Sequence, residues 1–196
     1  MPKLYYQGHG SFRLTADDGR VIYVDPYVGD GYELPADLIL VSHQHSDHNQ
    51  LSLCAKKKDC RIISNVEALK GGVHNTFDFD GIIVEAVSAE NKNHDPKECV
   101  GFIITIDGVK IYASGDTSKT AQMEDFSSKH LDYAIFCGDG VYNMNPEEAA
   151  VCAEIIGAKR NIIIHLQPGE LFSLEKAEKW DAPNKLIIEP GKEYSL

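Results

Sequence analysis

Hydrophobic positions fall into many short runs broken by glycine, proline and aspartate, with only a few stretches of helical spacing between them. Residues 4–7, 11–16 and 20–25 read as three strands of a meander, separated by Gly8-His9-Gly10 and by the hairpin signal Asp17-Asp18-Gly19. Asp25-Pro26-Tyr27 ends the third run, because proline cannot continue a ladder. A loop carrying Gly29, Gly31 and Pro35 leads to Leu38-Ile39-Leu40-Val41, an apolar run of buried-strand type.

Residues 49–58 are predicted to be a helix with Leu51, Leu53, Cys54 and Ala55 inward, 61–64 a short strand, and 66–70 a helical turn closed by Gly71-Gly72. Strands are predicted at 82–87, 100–106, 109–113 and 132–137, with Asp107-Gly108 as a tight turn between the second and third. Asn145-Pro146-Glu147-Glu148 announces a helix by an N-cap, a first-position proline and acids in the first turn. Ala149, Ala150, Cys152, Ala153 and Ile156 form its inner face, and Gly157 stops it. A strand at 161–164 ending at His165, a helix at 173–180 and a closing strand at 186–188 complete the pattern. Runs of strands with helices around them predict an α+β fold of sheet layers covered by helices, built as two halves that each deliver polar residues at strand ends.

A chain of 196 residues suffices for one core, so one domain is expected over 1–196. Its 43% hydrophobic and 25% charged residues are those of an ordinary globular protein. The net charge of −11 argues against nucleic acid or an anionic membrane as partner. The one basic group, Lys56-Lys57-Lys58 with Arg61, reads as the solvated end of the helix before it. Five cysteines, odd in number and without a CxxC pair, read as free thiols, and no segment has the length of a signal peptide core or a membrane span. A cytoplasmic location is therefore expected.

The chemistry concentrates at His43-Gln44-His45-Ser46-Asp47-His48, which holds three of the eight histidines directly after the fourth strand. In an extended segment His43, His45 and Asp47 converge on one side while Gln44 and Ser46 turn outward. His48 breaks the alternation, which suits a second metal beside the first. Imidazole and carboxylate donors point to zinc, with manganese or iron as alternatives at mixed N/O sites. This cluster alone would leave a metal under-coordinated, and His94, Asp116 and His165, each in a loop or at a strand end, are the candidate further donors.

Taken together, His43-x-His45-x-Asp47-His48, His94, Gly115-Asp116-Thr117 and His165 resemble the metallo-β-lactamase superfamily, whose fold is a four-layered αββα sandwich. Gly8-His9-Gly10-Ser11-Phe12, Asp25-Pro26-Tyr27 and the stretch from Asn143 to Ala150 are most similar to compact metal-dependent hydrolases related to the ascorbate-phosphate lactonase branch. The resemblance implies that His43, His45 and His94 hold one metal, that Asp47, His48 and His165 hold another, and that Asp116 bridges them. Asp95 or Glu90 competes with His94 for its place. An aspartate at 116, where the best-known β-lactamases carry cysteine, speaks against antibiotic hydrolysis.

Two divalent ions sharing a carboxylate can hold a hydroxide between them at neutral pH, which makes hydrolysis of an ester, lactone, amide or phosphodiester of a small molecule the expected reaction. Asp47 and His48 are the expected catalytic residues, Asp47 as a proton relay. A di-iron redox protein and a non-catalytic module on the same fold are the alternatives, and a homo-oligomer is compatible with the sequence. His9 either lines the site or only makes a turn. His74 reads as a partly exposed strand residue and His130 as a helix C-terminal cation. Asp25 either orients a ligand histidine or caps a turn, and Asp139, between two glycines, is equally open. Lys92 and Lys97 flank His94 and read as solvated loop cations or as attractors of an anionic substrate, while Phe172 and Tyr142 are pocket or packing residues.

Overall fold

The computed structural model describes all residues, Met1–Leu196. Two six-stranded mixed sheets face each other. In the first, β1 (Lys3–Gly8), β2 (Ser11–Thr15) and β3 (Val21–Val24) form an antiparallel meander, after which β4 (Ala36–Val41) and β5 (Lys56–Ser64) run parallel to β3. In the second, β6 (Thr76–Phe79), β7 (Ile82–Ser88), β8 (Val100–Ile106) and β9 (Val109–Ala113) are antiparallel, and β10 (Tyr133–Cys137) and β11 (Arg160–Ile164) run parallel to β9. The chain then returns to the first sheet as β12 (Glu193–Ser195), paired with β1. The two halves thus repeat one plan, a meander followed by two parallel crossovers. The α+β sandwich predicted from the pattern is the architecture found.

Alternation along the strands explains the layers. Leu4, Leu14, Ile22, Leu38, Leu40, Val84, Phe102, Ile104, Ile111 and Ile162 belong to one buried cluster between the sheets. The opposite faces of the second sheet carry Tyr112, Phe136 and Ile163, which pack under α2 (Pro146–Ile156), α3 (Leu174–Lys179) and a 3₁₀ segment, Ala121–Lys129. α2 begins and ends as its sequence requires: the Asn145 side chain accepts the Glu148 N–H, Pro146 opens the first turn, and Gly157 closes it in the left-handed conformation. Trp180 closes this layer, its Nε1–H donating to the Pro146 carbonyl at 3.1 Å. Over the first sheet the cover is loop rather than long helix: Tyr32 and Cys54 pack on Tyr23, Ile39 and Val41.

Three predicted elements are corrected. Residues 49–58 are not a helix: turns occupy the stretch before Lys56, and Lys56, Lys57 and Lys58 begin β5, an edge strand. Lysines there discourage edge-to-edge pairing, and Lys57 donates to both Asp37 oxygens, at 2.9 and 2.8 Å, instead of ending a helix. The helical turn at 66–70 becomes α1 (Asn65–Ala68), started by a Ser64–Glu67 capping box. The closing strand is β12, whereas 186–188 forms no strand: Lys185 just before it makes an isolated bridge to Asn161, and the Leu186 N–H donates to the Asn161 carbonyl at 2.7 Å. His74 is exposed and precedes β6 rather than lying in a strand; His130 does cap the 3₁₀ segment.

No helix is long and apolar enough to cross a membrane. The parallel strands β3, β4, β9, β10 and β11 all deliver their C-terminal ends to one edge of the sandwich, followed there by Asp25, His43, Asp116, Asp139 and His165 respectively. Strand ends of this kind are where open α/β sheets bind ligands.

Candidate metal centre

β4 ends at Val41, and Asp25, at the end of the neighbouring β3, takes over its next groups. Asp25 Oδ1 accepts the Ser42 N–H at 2.7 Å and Oδ2 accepts the Ser42 hydroxyl at 2.7 Å. The same Oδ2 lies 3.1 Å from His48 Nδ1, and Ser42 Oγ lies 2.9 Å from His43 Nδ1. One carboxylate therefore orients two histidines, so each presents Nε2 to the interior. The turn that follows, His48 N–H to His45 carbonyl at 3.0 Å, swings His48 back beneath His43. Gly10 leaves room for it, since a Cβ at that position would stand 2.9 Å from His48 Cε1.

His43, His45 and His94 bring one ring nitrogen each within 4.8 Å of one another. His43 Nε2 and His45 Nδ1 are 3.0 Å apart, the separation of two donors sharing an ion. His43, His48 and Asp116 form a second such group, and Asp47, His48, His165 and His9 a third. Asp116 is central: Oδ1 is 3.4 Å from His48 Nε2, and Oδ2 is 3.5 Å from His94 Nε2 and 3.6 Å from His165 Nε2. Asp47 Oδ2 is 3.8 Å from His165 Nε2 and 3.9 Å from His48 Nε2.

All seven residues singled out in the sequence meet at this edge. His94, not Asp95 or Glu90, enters the cluster; both carboxylates are exposed, and Asp95 Oδ1 accepts the Lys97 N–H instead. His9 lines the cluster rather than simply turning the chain. Its Nδ1–H donates to the Glu170 carbonyl at 3.0 Å, and its Nε2 faces Asp47 Oδ2 at 3.2 Å. Asp25 and Asp139 both lie against histidines, Asp139 Oδ2 standing 3.2 Å from His165 Nδ1. Ser42 and Asn91 join these contacts without any motif that marks them, and Asn143, which opens the stretch similar to compact hydrolases, joins them in a role the sequence does not assign.

The substrate-side residues divide. Lys97 lines a cleft of about 530 Å³ beside His43, His45 and His94, while Lys92 and Tyr142 share a separate depression. Phe172 packs edge-on against Tyr6, with ring centroids 6.1 Å apart, and so serves packing.

Four buried atoms make the demand for a cation explicit. Nε2 of His48, His94 and His165 and Oδ1 of Asp116 have no hydrogen-bond partner, although all point into the same space. Leaving them bare would cost about 1–3 kcal/mol each, more for the charged oxygen. The protonation equilibria carry the same message. Burial disfavours charge on His48, yet Asp116 and Asp25 override it and hold its pKa well above the usual imidazole range. His165, likewise opposed by burial, is pushed up to about 9 by Asp116, Asp139 and Asp47. Asp116 is held well below the carboxylate range, burial being outweighed by His48 and His165. Burial instead pushes His43 down to about 2 and His94 below the usual imidazole range, which keeps those rings as neutral donors. The side of the pocket around Asp116 thus draws positive charge while the other offers neutral imidazoles, and a divalent ion on imidazole and carboxylate donors fits it chemically.

Residues 3–165 match the sequence profile of a beta-lactamase superfamily domain. A metal-dependent hydrolase of Thermococcus onnurineus is 26% identical, with all of both chains covered. One of Methanoregula boonei is 30% identical over 88% of this chain and 85% of its own. The crystal structure of a metal-dependent hydrolase from Parabacteroides distasonis superposes with a TM-score of 0.79 at 29% identity, covering 96% of this chain and 93% of that one.

Proposed function

This chain belongs to the β-lactamase superfamily, and on that membership we propose that it is a metal-dependent hydrolase of a small polar ester, lactone or phosphodiester, working as one domain over residues 1–196. The observation that carries the reading is the convergence of three partnerless imidazole nitrogens and one partnerless carboxylate oxygen on one buried space. His43, His45 and His94 would hold one ion, Asp47, His48 and His165 another, and Asp116 both. Two such ions, zinc by the nature of the donors, supply Lewis acidity and lower the pKa of a water toward about 7 when bound.

The residues themselves divide the remaining work. Asp47 is the acid of the cluster with a solvent-facing side chain, 33% exposed against 5% for Asp116. It is therefore the group placed to pass a proton between substrate and solvent when it is not tightly ligated; burial raises its pKa, but His165 and His9 outweigh that and hold the carboxyl well below the usual range, so it accepts a proton only as those contacts loosen. His9, fixed on the Glu170 carbonyl, faces Asp47 Oδ2 with Nε2 at 3.2 Å. His48 is buried and tied to Asp25, so it acts by holding rather than by exchanging protons with substrate. The cleft beside His43, His45 and His94 is lined by Gln44, Asn65, Asn93 and Lys97, which suits a small polar metabolite better than an apolar one.

The test is metal content by elemental analysis together with a panel of lactones, thioesters and phosphodiesters, run on the purified protein and on His48→Ala. Metal-dependent turnover that His48→Ala loses supports the reading. Full turnover by metal-free protein would end it.

A further inference from the structure

Beyond the seven donors, a continuous line of side chains joins one histidine of each proposed ion position. Asn91 Oδ1 accepts the Nδ1–H of His94 at 2.9 Å and the backbone N–H of Asn93 at 2.8 Å. Two donors on that oxygen fix which end of the amide is which. Asn91 Nδ2 then donates to Asn143 Oδ1 at 3.3 Å, and Asn143 Nδ2 donates to Asp139 Oδ2 at 2.7 Å. That same Oδ2 stands 3.2 Å from His165 Nδ1, the N–H bent off the line of contact. Asp139 cannot turn away, because its Oδ1 accepts the backbone N–H groups of Val141, Tyr142 and Asn143 at 2.6, 2.8 and 3.3 Å.

From His94 to Asp139 every donor and acceptor in this line agrees, and the Asp139–His165 step is an ion-pair contact. Both histidines turn Nδ1 outward to this line, which leaves both Nε2 atoms facing Asp116. Asn143 is the middle member, buried, and hydrogen-bonds to neither histidine. Its amide has one orientation that satisfies Asn91 and Asp139 together, and the reverse orientation would set oxygen against oxygen at Asp139.

We propose that Asn91 and Asn143 are positioning residues: they carry one hydrogen-bond line from His94 to Asp139, whose Oδ2 stands in ion-pair contact with His165, so that one buried amide helps to orient a ligand of each ion. The proposal deepens the two-ion reading and rests on it. It requires that a change at Asn143 be felt at both ion positions, although it hydrogen-bonds to no proposed ligand. Outer partners of metal-bound histidines typically govern affinity by about 10–100-fold, and an indirect partner belongs at the lower end, near 10-fold for each ion.

The experiment titrates metal-stripped protein with zinc against a chromophoric chelator, for wild type and Asn143→Leu, whose side chain has similar shape and no polar atoms. Imidazole N–H signals of His94 and His165 are followed in the same samples by nitrogen-15 NMR. Weakening of both binding steps by roughly 10-fold, with both imidazole signals displaced, supports the line. Unchanged affinities with only a lower melting temperature would make Asn143 a plain structural residue and overturn it, as would an effect confined to one ion. Should Asn143→Leu not fold, Asn91→Ala takes its place: loss at His94 follows from any account, but the line requires the distant His165 signal to move as well, and a stationary one refutes it. Wild type that takes up no zinc defeats the hydrolase reading itself, whereas wild type that binds two ions beside an indifferent Asn143→Leu defeats only this proposal.

Discussion

Stripping the metal is expected to lower the melting temperature of this protein without unfolding it. An ion bound only by the folded state contributes RT ln(1 + [L]/Kd), about 2.7 kcal/mol at a free concentration 100 times Kd and about 4.1 kcal/mol at 1,000 times. Unfolding 196 residues carries an entropy of about 0.4 kcal/mol per kelvin. One ion at those saturations is therefore worth about 7–10 °C. The loss should not be larger for each ion, because protons can take the metal's place: His48 and His165 are already drawn toward the charged form by Asp116 and its neighbours. Differential scanning calorimetry with and without a chelator, restored by zinc, measures the shift, and far-UV circular dichroism checks that secondary structure persists. A melting temperature indifferent to chelator and to added zinc would refute the assignment of the partnerless atoms to an ion.

Two further outcomes follow from the same geometry. Zinc uptake by the stripped protein near pH 7 should release protons, because the folded pocket holds His165 protonated up to about pH 9 and His48 well above 6.5; apparent affinity should then rise with pH until about 9, and uptake without acidification of an unbuffered solution would contradict it. Gly10→Ala should weaken zinc binding and hydrolysis by about 10-fold, the lower end of what disturbing the support of a metal-binding histidine costs, since its Cβ would stand 2.9 Å from His48 Cε1 and the ring would have to give way; wild-type rates with wild-type zinc content would sink that argument.

The legibility of this site in the sequence follows the range of its contacts. His43, His45, Asp47 and His48 lie within six residues, so strand alternation and one turn suffice to foresee their convergence. His94 is harder, because its loop also holds Glu90 and Asp95, and what selects it is its partner Asn91 and its burial against Asp116. Asp139 and Asn143 draw attention in the sequence without a role, for a stronger reason: Asn143 takes its meaning from an amide 52 residues earlier in the chain and Asp139 from a histidine on the next strand end. The false helix at 49–58 fails on a local pattern instead. Leu51, Cys54 and Ala55 have helical spacing, but Leu51 and Cys54 pack under turns on Tyr23 and Ile39, and three lysines that resemble a helix end serve an edge strand. By contrast, the α2 boundaries were readable because Asn145, Pro146 and Gly157 act on their immediate neighbours.

Backbone conformation explains why the centre should survive loss of bound metal. Three of the seven non-glycine residues with positive φ lie in or beside the cluster: His9 at 54°, Asp25 at 46° and His165 at 50°. Each such residue costs roughly 1–3 kcal/mol and persists only where its surroundings hold it. Here the holding is done by main-chain bonds. The Asp25 N–H donates to the Leu40 carbonyl at 2.9 Å, the His9 N–H to the Leu171 carbonyl at 2.6 Å, and the His165 N–H to the His9 carbonyl at 3.0 Å, while the His165 carbonyl accepts the Gly138 N–H at 3.3 Å. The bond between His165 and His9 joins a strand end of the second sheet to the first turn of the first sheet, so it ties the two halves together at the metal edge. An ion would add attraction to donors whose backbone is already fixed by the fold. Metal removal should therefore lower stability by the linkage term alone, leaving a cage that can be reloaded.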